Sequence, residues 1–261
     1  MIKSIKISVL VLFVVIVIIA CKKENNNPSN SSNGETTAVF NPYKLYGTMT
    51  DQDSNVYKTI TIGTQTWMAE NLRTTKYRNG ETIPNITDNV AWVFLTTGAY
   101  CSYANTANKD EIATYGRLYN WYAIADSRNI APIGWHVPSD AEWTTLTTYL
   151  DSPYGPSGKM KETGTTHWSA PSDWEIWDAF ATNDSGFTAL PSGFRYFSDG
   201  TFHNLGFTSF WWSSTAFDAN NPYNLSLTYN AYNLSLSYNS GFLFRNYVPV
   251  QGGFALRLLK D

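Results

Sequence analysis

The stretch Gly134–Leu150, GWHVPSDAEWTTLTTYL, constrains the fold more than any other, because it carries every device for starting a helix. Ser139 followed three residues later by Glu142 is a capping box, in which each side chain satisfies a backbone N–H that the first helical turn leaves without a partner. Pro138 stands just outside that start, and Asp140 and Glu142 place negative charge at the positive end of the helix dipole. Trp143, Leu146, Thr147 and Leu150 follow at i, i+3, i+4 and i+7 and make one face to bury. A helix this short needs a sheet to cover that face.

The rest of the chain is rich in strands. Val56–Ile62 alternates as a strand should, and Gln65-Thr66-Trp67-Met68 begins another. Before them, Asp51, Asp53 and Asn55 alternate like the opening of a calcium loop. Val56 stands where that loop requires Gly and Ile62 where it requires Glu, so the segment reads as a hairpin turn. Asn79-Gly80 is a turn signal. Tyr115–Ala125, YGRLYNWYAIA, reads as a helix with Leu118, Trp121, Tyr122 and Ala125 as its apolar face. Asp151–Asp184 reads as a long loop that holds Trp168, Trp174 and Trp177, and long loops in compact domains tend to carry function. Beyond Phe187 come short strands: Phe210–Ser214 (FWWSS), a turn at Ser198–Gly200, and the near-repeat YNLSLTY (223–229) and YNLSLSY (232–238). The repeat reads as a hairpin with Leu225, Leu227, Leu234 and Leu236 on one face. Gly253–Leu259 closes the sheet.

The first 20 residues read as a secretory signal, with Lys3 and Lys6 as its basic start and Ile7–Ile19 as an apolar run broken only by Ser8. Ile18-Ile19-Ala20-Cys21 resembles a bacterial lipobox, which implies cleavage before Cys21 and acyl chains on its sulfur and new amino group. Several acyl chains on one Cys make a stable membrane anchor. Lys22 follows Cys21 where an inner-membrane retention signal has Asp, and Lys22-Lys23-Glu24 resembles the export tag of surface lipoproteins. The expected place is therefore the outer membrane, facing the periplasm or the cell surface. Residues 21–44 read as lipidated Cys and polar tether, Asn25–Thr37 having nothing to bury. The folded domain is expected over 45–261.

The formal net charge of −3 argues against a nucleic-acid partner. Loss of residues 1–20 removes two of the 18 basic residues and none of the 21 acidic ones, which makes the remainder −5. With Cys21 acylated, Cys101 has no partner and reads as a small buried hydrophobe.

Quoted in order, GTMTDQDSNVYKTITIGTQTWMAENLRTTKY, YGRLYNWYA, GWHVPSDAEW, SGFTALPSGFR, WWSST and GFALRLLKD resemble the Fibrobacter succinogenes major paralogous domain family over Leu45–Asp261. The family is similar to the C-type lectin-like fold of the formylglycine-generating and sulfatase-modifying proteins. The resemblance implies an α+β domain: two helices packed on twisted antiparallel sheets, with a long loop region where Asp151–Asp184 falls. It carries no activity across.

Formylglycine chemistry needs late cysteines, and none follows Cys101. Calcium-lectin triplets are missing, and His136, His167 and His203 form no ligand-spaced pair. Neither a nucleophile elbow nor a P-loop is present. Asp173, Glu175 and Asp178 would suit a glycosidase pair but read as solvated acids of a polar loop. No catalytic residue, metal or cofactor is assigned. Trp168, Trp174 and Trp177 are the candidate ligand-binding residues, since exposed aromatics stack on sugars and anchor protein partners. The expected function is a lipid-anchored envelope lipoprotein whose lectin-like domain binds a glycan or surface protein. An enzyme or enzyme accessory acting on surface polymers, and a ligand-free structural envelope protein, are the alternatives.

Overall fold

The computed structural model describes residues 33–170, 181–217 and 230–261, and the capping box forms in it as its spacing demands. In chain order the first elements are β1 (Gly47–Thr50), β2 (Val56–Ile62), β3 (Gln65–Met68), α1 (Asn89–Val93), β4 (Tyr100–Cys101), α2 (Lys109–Tyr115) and β5 (Leu118–Tyr119). Then come α3 (Trp121–Ala125), β6 (Trp135–His136), α4 (Asp140–Leu150) and α5 (Ser157–Met160). The last strands are β7 (Ser192–Arg195), β8 (Phe202–Leu205), β9 (Thr208–Ala216), β10 (Asn230–Ser237), β11 (Leu243–Pro249) and β12 (Leu259–Lys260).

The class is α+β and mostly β. One sheet has the order β1-β2-β3-β12-β6 and the other β11-β10-β9-β7-β8, with β4 and β5 as a separate pair. The second sheet is mixed, because β7 meets β9 in parallel, so the expectation of antiparallel sheets holds only in part. Helix α4 packs between the two sheets, burying Trp143, Leu146 and Leu150 against Trp67, Phe187, Trp211, Leu234 and Leu236. A second core lies around Tyr57, Met68, Leu72, Tyr119, Trp212 and Leu258. Among the described residues no helix is long and apolar enough to cross a membrane.

The expected helix over Tyr115–Ala125 does not form. Gly116 ends α2 at φ 76°, where a Cβ would stand 2.5 Å from Asn71 Cβ. Leu118 and Tyr119 then pair with Cys101 and Tyr100, and Asn120 starts α3 by accepting from Ala123 N–H. The same Asn120 accepts from Ala99 N–H (2.9 Å) and donates to Thr97 O (2.8 Å), so its amide serves better as a tie than as a helical surface residue. The first of the two repeats, and with it the expected hairpin between them, lies outside the described residues. Strand β10 holds the second copy and has β9 on one edge and β11 on the other. Asp51–Asn55, by contrast, is the hairpin turn its spacing suggests: the Asp51 carboxylate accepts from the Asp53 and Asn55 backbone N–H groups, the Asn55 amide and the Tyr57 hydroxyl.

The folded body starts earlier than Leu45. Gly34 and Glu35 donate backbone N–H groups to Asp110 Oδ1, Val39 donates to Glu162, and Asn41 Nδ2 donates to Asn183 O at 2.9 Å. Phe40 packs on the α4 core. Residues 34–44, read as tether, are thus bound along the domain. Their polar composition hid this because the backbone, rather than the side chains, makes most of the attachment.

His136 ties the start of α4 to the last strand's end. Its Nδ1 lies 2.7 Å from Asp261 Oδ1 and its Nε2 lies 2.9 Å from Glu142 Oε1. Burial would lower the imidazole pKa, but the hydrogen bonds to Asp261 and Glu142 outweigh it and raise the value. Burial likewise would raise Glu142, but the Ser139 N–H and hydroxyl and His136 outweigh it and hold the carboxyl down. A raised imidazole contributes stability below its unfolded pKa and loses it as pH rises through the folded one; a lowered carboxyl contributes above its unfolded pKa and loses it as pH falls. Both contributions coincide between about pH 4.5 and 6.5, the ordinary values for Glu and His. The stability difference between the native chain and His136→Gln, measured by urea melts, is expected to be greatest near pH 5.5 and to shrink above neutrality. Its size should be about 0.5–1 kcal/mol, since both partners are a third exposed.

Candidate functional site

Of the three Trp residues expected to face a ligand, Trp168 is the one among the described residues. Trp168 is buried at 4% exposure, donates its indole N–H to Ala189 O at 2.9 Å, and lies 5.4 Å from the Lys161 ammonium. It is a core residue that pins the loop to the domain, which corrects its assignment as an exposed platform. Trp174 and Trp177, with Asp173, Glu175 and Asp178, lie outside the described residues, as does Cys21. The three histidines are apart: His136 at the start of α4, His167 on the buried Glu162 carboxylate, His203 stacked on Phe194. Burial pushes the Cys101 thiol up to about 12, against the pull of Arg195, so it is no nucleophile.

An aromatic surface does form elsewhere, where β9, β10 and β11 pass the N-terminus of α4. Tyr232 on β10 stands opposite Tyr247 on β11, so both side chains share one face. Phe217, just past β9, stacks on Tyr247 with centroids 4.0 Å apart and planes at 15°, and meets Tyr232 edge-on at 5.5 Å. Arg245, two residues from Tyr247 and therefore on the same face, sets its guanidinium 4.3 Å over the Tyr232 ring. That guanidinium grips the Asp140 carboxylate through Nε and Nη2. The bond to Asp140 raises the Arg245 pKa further, so the group is a fixed cation. Asp140 is itself held, since its backbone N–H donates to Thr215 Oγ1 at 3.0 Å. Tyr247 remains 54% exposed. A half-exposed stacked pair beside a held guanidinium offers a flat apolar face with polar groups at its rim.

Next to this surface is a cavity of about 250 Å³ between α4 and the β10–β11 pair. Trp143, Thr144, Thr147 and Thr148 line it from α4, Leu234 and Leu243 from the strands, and the Asp140–Arg245 pair stands at its edge. Trp143 is fully buried, and its indole N–H has no acceptor among the described residues.

Strand alternation over Leu243–Pro249 was available to the eye, with Leu243, Arg245 and Tyr247 on one face. The partner of Arg245 was not, because Asp140 is 105 residues away. The arrangement can bind, and among the described residues no group of three or more His, Cys, Asp or Glu side chains is placed to hold a metal ion.

The family model described as the Fibrobacter succinogenes major domain matches residues 60–260. Comparison with curated proteins gives no match. Comparison with solved structures gives none either.

If Trp168 is a core pin, Trp168→Phe should lower stability by about 1 kcal/mol, the usual net value of one hydrogen bond. The cost stays small because Ala189 O keeps its bond from Glu162 N–H. Ligand binding by the folded variant should be unchanged. A variant of native stability that no longer binds would return Trp168 to the site.

Proposed function

The chain belongs to the Fibrobacter succinogenes major domain family, and from that premise we propose that it is a lipid-anchored envelope lipoprotein whose C-type lectin-like domain binds a glycan at the outer membrane. Cys21 carries the lipid, and residues 22–33 link it to the domain. The domain faces the periplasm or the cell surface. The observation that carries the binding role is the half-exposed stack of Tyr247 on Phe217, flanked by Tyr232 and Arg245. Aromatic faces of this kind take up sugar C–H faces or the side chains of a protein partner with little loss of conformational entropy. The lectin-like reading draws support from the region between α4 and β7, where α5 is the one regular element among the described residues. Trp174 and Trp177, which lie outside the described residues, are kept as ligand-binding residues in this proposal.

Two measurements test the parts separately. Labelled palmitate should enter the native protein in a Gram-negative host and fail to enter Cys21→Ser; equal labelling removes the anchor. A glycan array probed with the chain from residue 22, with calcium and with chelator, should show binding that survives the chelator and falls at least roughly tenfold, about 1.4 kcal/mol, in Tyr247→Ala. Absence of binding under both conditions would sink the glycan reading and leave a surface protein as the partner to seek.

A further inference from the structure

We infer that the cavity between α4 and the β10–β11 pair is a subsite for one neutral sugar ring, the terminal residue of the glycan whose chain lies on the Tyr247 surface. This rests on the glycan reading above and deepens it. Three features of the cavity lead to a sugar ring. The first is size: drug-sized ligands occupy roughly 300–1,000 Å³, so a cavity of about 250 Å³ suits a single ring. The second is the distribution of polarity around the walls. Leu234 and Leu243 offer an apolar side, and Thr144 and Thr147 a hydroxyl side. Thr144 Oγ1 donates to Asp140 O (2.9 Å) and Thr147 Oγ1 to Thr144 O (3.1 Å), so their protons are spent on the helix and their oxygen lone pairs are left to accept. A ring with one C–H face and an edge of hydroxyl donors matches both sides.

The third feature is the Trp143 indole N–H, a buried donor with no acceptor among the described residues. A buried donor left without an acceptor is costly, and Trp143 is part of the cavity's lining. A ring or hydroxyl oxygen of the ligand supplies the missing acceptor. Charge selects against anionic sugars. Among the described residues the one cation of the lining, Arg245, is held by Asp140, and Asp151 adds a further negative charge.

The test follows the Trp143 indole resonance by ¹H–¹⁵N NMR of the chain from residue 22, titrated with the methyl glycosides of glucose, galactose, mannose and N-acetylglucosamine. At least one should shift that resonance saturably. In Thr147→Phe, which fills the cavity from the outer side of α4, the same titration should weaken at least roughly tenfold, about 1.4 kcal/mol. Tyr247→Ala should keep the monosaccharide shift while losing the longer glycans of the array. If no glycoside moves the Trp143 resonance, the N–H is satisfied by water and the subsite is refuted; array binding that still depends on Tyr247 would then leave the surface reading standing. With a Trp143 shift and an empty array the subsite holds and the extended surface fails. Equal titration of native chain and Thr147→Phe also overturns the subsite, whatever the array shows.

Discussion

The fold hangs on the insertion of one indole between two sheets. Trp143 packs on Trp67 of β3 with centroids 4.6 Å apart and on Trp211 of β9 at 6.2 Å, and Phe187 meets all three rings at 6.0–6.1 Å. Each such pair adds about 0.5–1.5 kcal/mol beyond area burial, and three of the five pairs here share the one ring on α4. The cluster is fixed in orientation from below. Asn71 Oδ1 accepts both the Trp211 indole N–H (3.0 Å) and Arg257 Nε (2.7 Å), and the Arg257 guanidinium lies 4.7 Å from the Phe187 ring. Removing Trp143 would therefore cost more than a cavity, because the ring that joins the first sheet, the helix and the second sheet would go with it.

The domain solves a second problem with its cations. Much of the chain is irregular, so many backbone carbonyls have no strand partner, and a buried carbonyl without a donor is costly. Arg257 donates to Met68 O, Phe187 O and Thr188 O; Arg195 donates to Gly200 O, Ile86 O and Thr87 O; Lys161 donates to Tyr238 O and Ser240 O. All three residues are buried. Burial lowers the pKa of Arg257 to about 9 and that of Lys161 to about 8, which shows what these positions cost in solvation. Side chains that composition counts as surface charge are here internal fasteners of loops. The basic residues left at the surface are fewer than the formal count suggests.

Local codes were legible in the sequence, and distant pairings were not. The capping box, the Asp51 turn and the Val56–Ile62 strand each depend on side chains within a few residues of one another, and each formed as its spacing requires. The helix over Tyr115–Ala125 failed because spacing alone cannot weigh Gly116 and Asn120 against four apolar residues. Asn120 was claimed by Ala99 and Thr97, some twenty residues back. The candidate site was less legible still. Trp168 looked free because its loop is polar, yet its acceptor is a carbonyl on the far side of that loop. Arg245 and Asp140 meet only because β11 pairs with β10 and α4 packs on β9, a relation that no window of sequence contains.

The same helix carries the start of the fold, its core and the candidate site, and this has a mechanical consequence. Ser139 and Glu142 fix the first turn of α4, Trp143, Leu146 and Leu150 fix its inner face, and Asp140 and Thr147 reach the cavity from what is left. A side chain on a rigid, packed helix holds a ligand group more closely than one on a loop, and loses less entropy when it does. Arg245 makes the joint explicit. By holding Asp140 it locks β11 to the helix start, and by lying over Tyr232 it ties that ring to the same pair. A ligand spanning both would thus meet a surface whose two halves are already fixed to each other, so its affinity would depend on the Asp140–Arg245 pair even where it touched neither side chain.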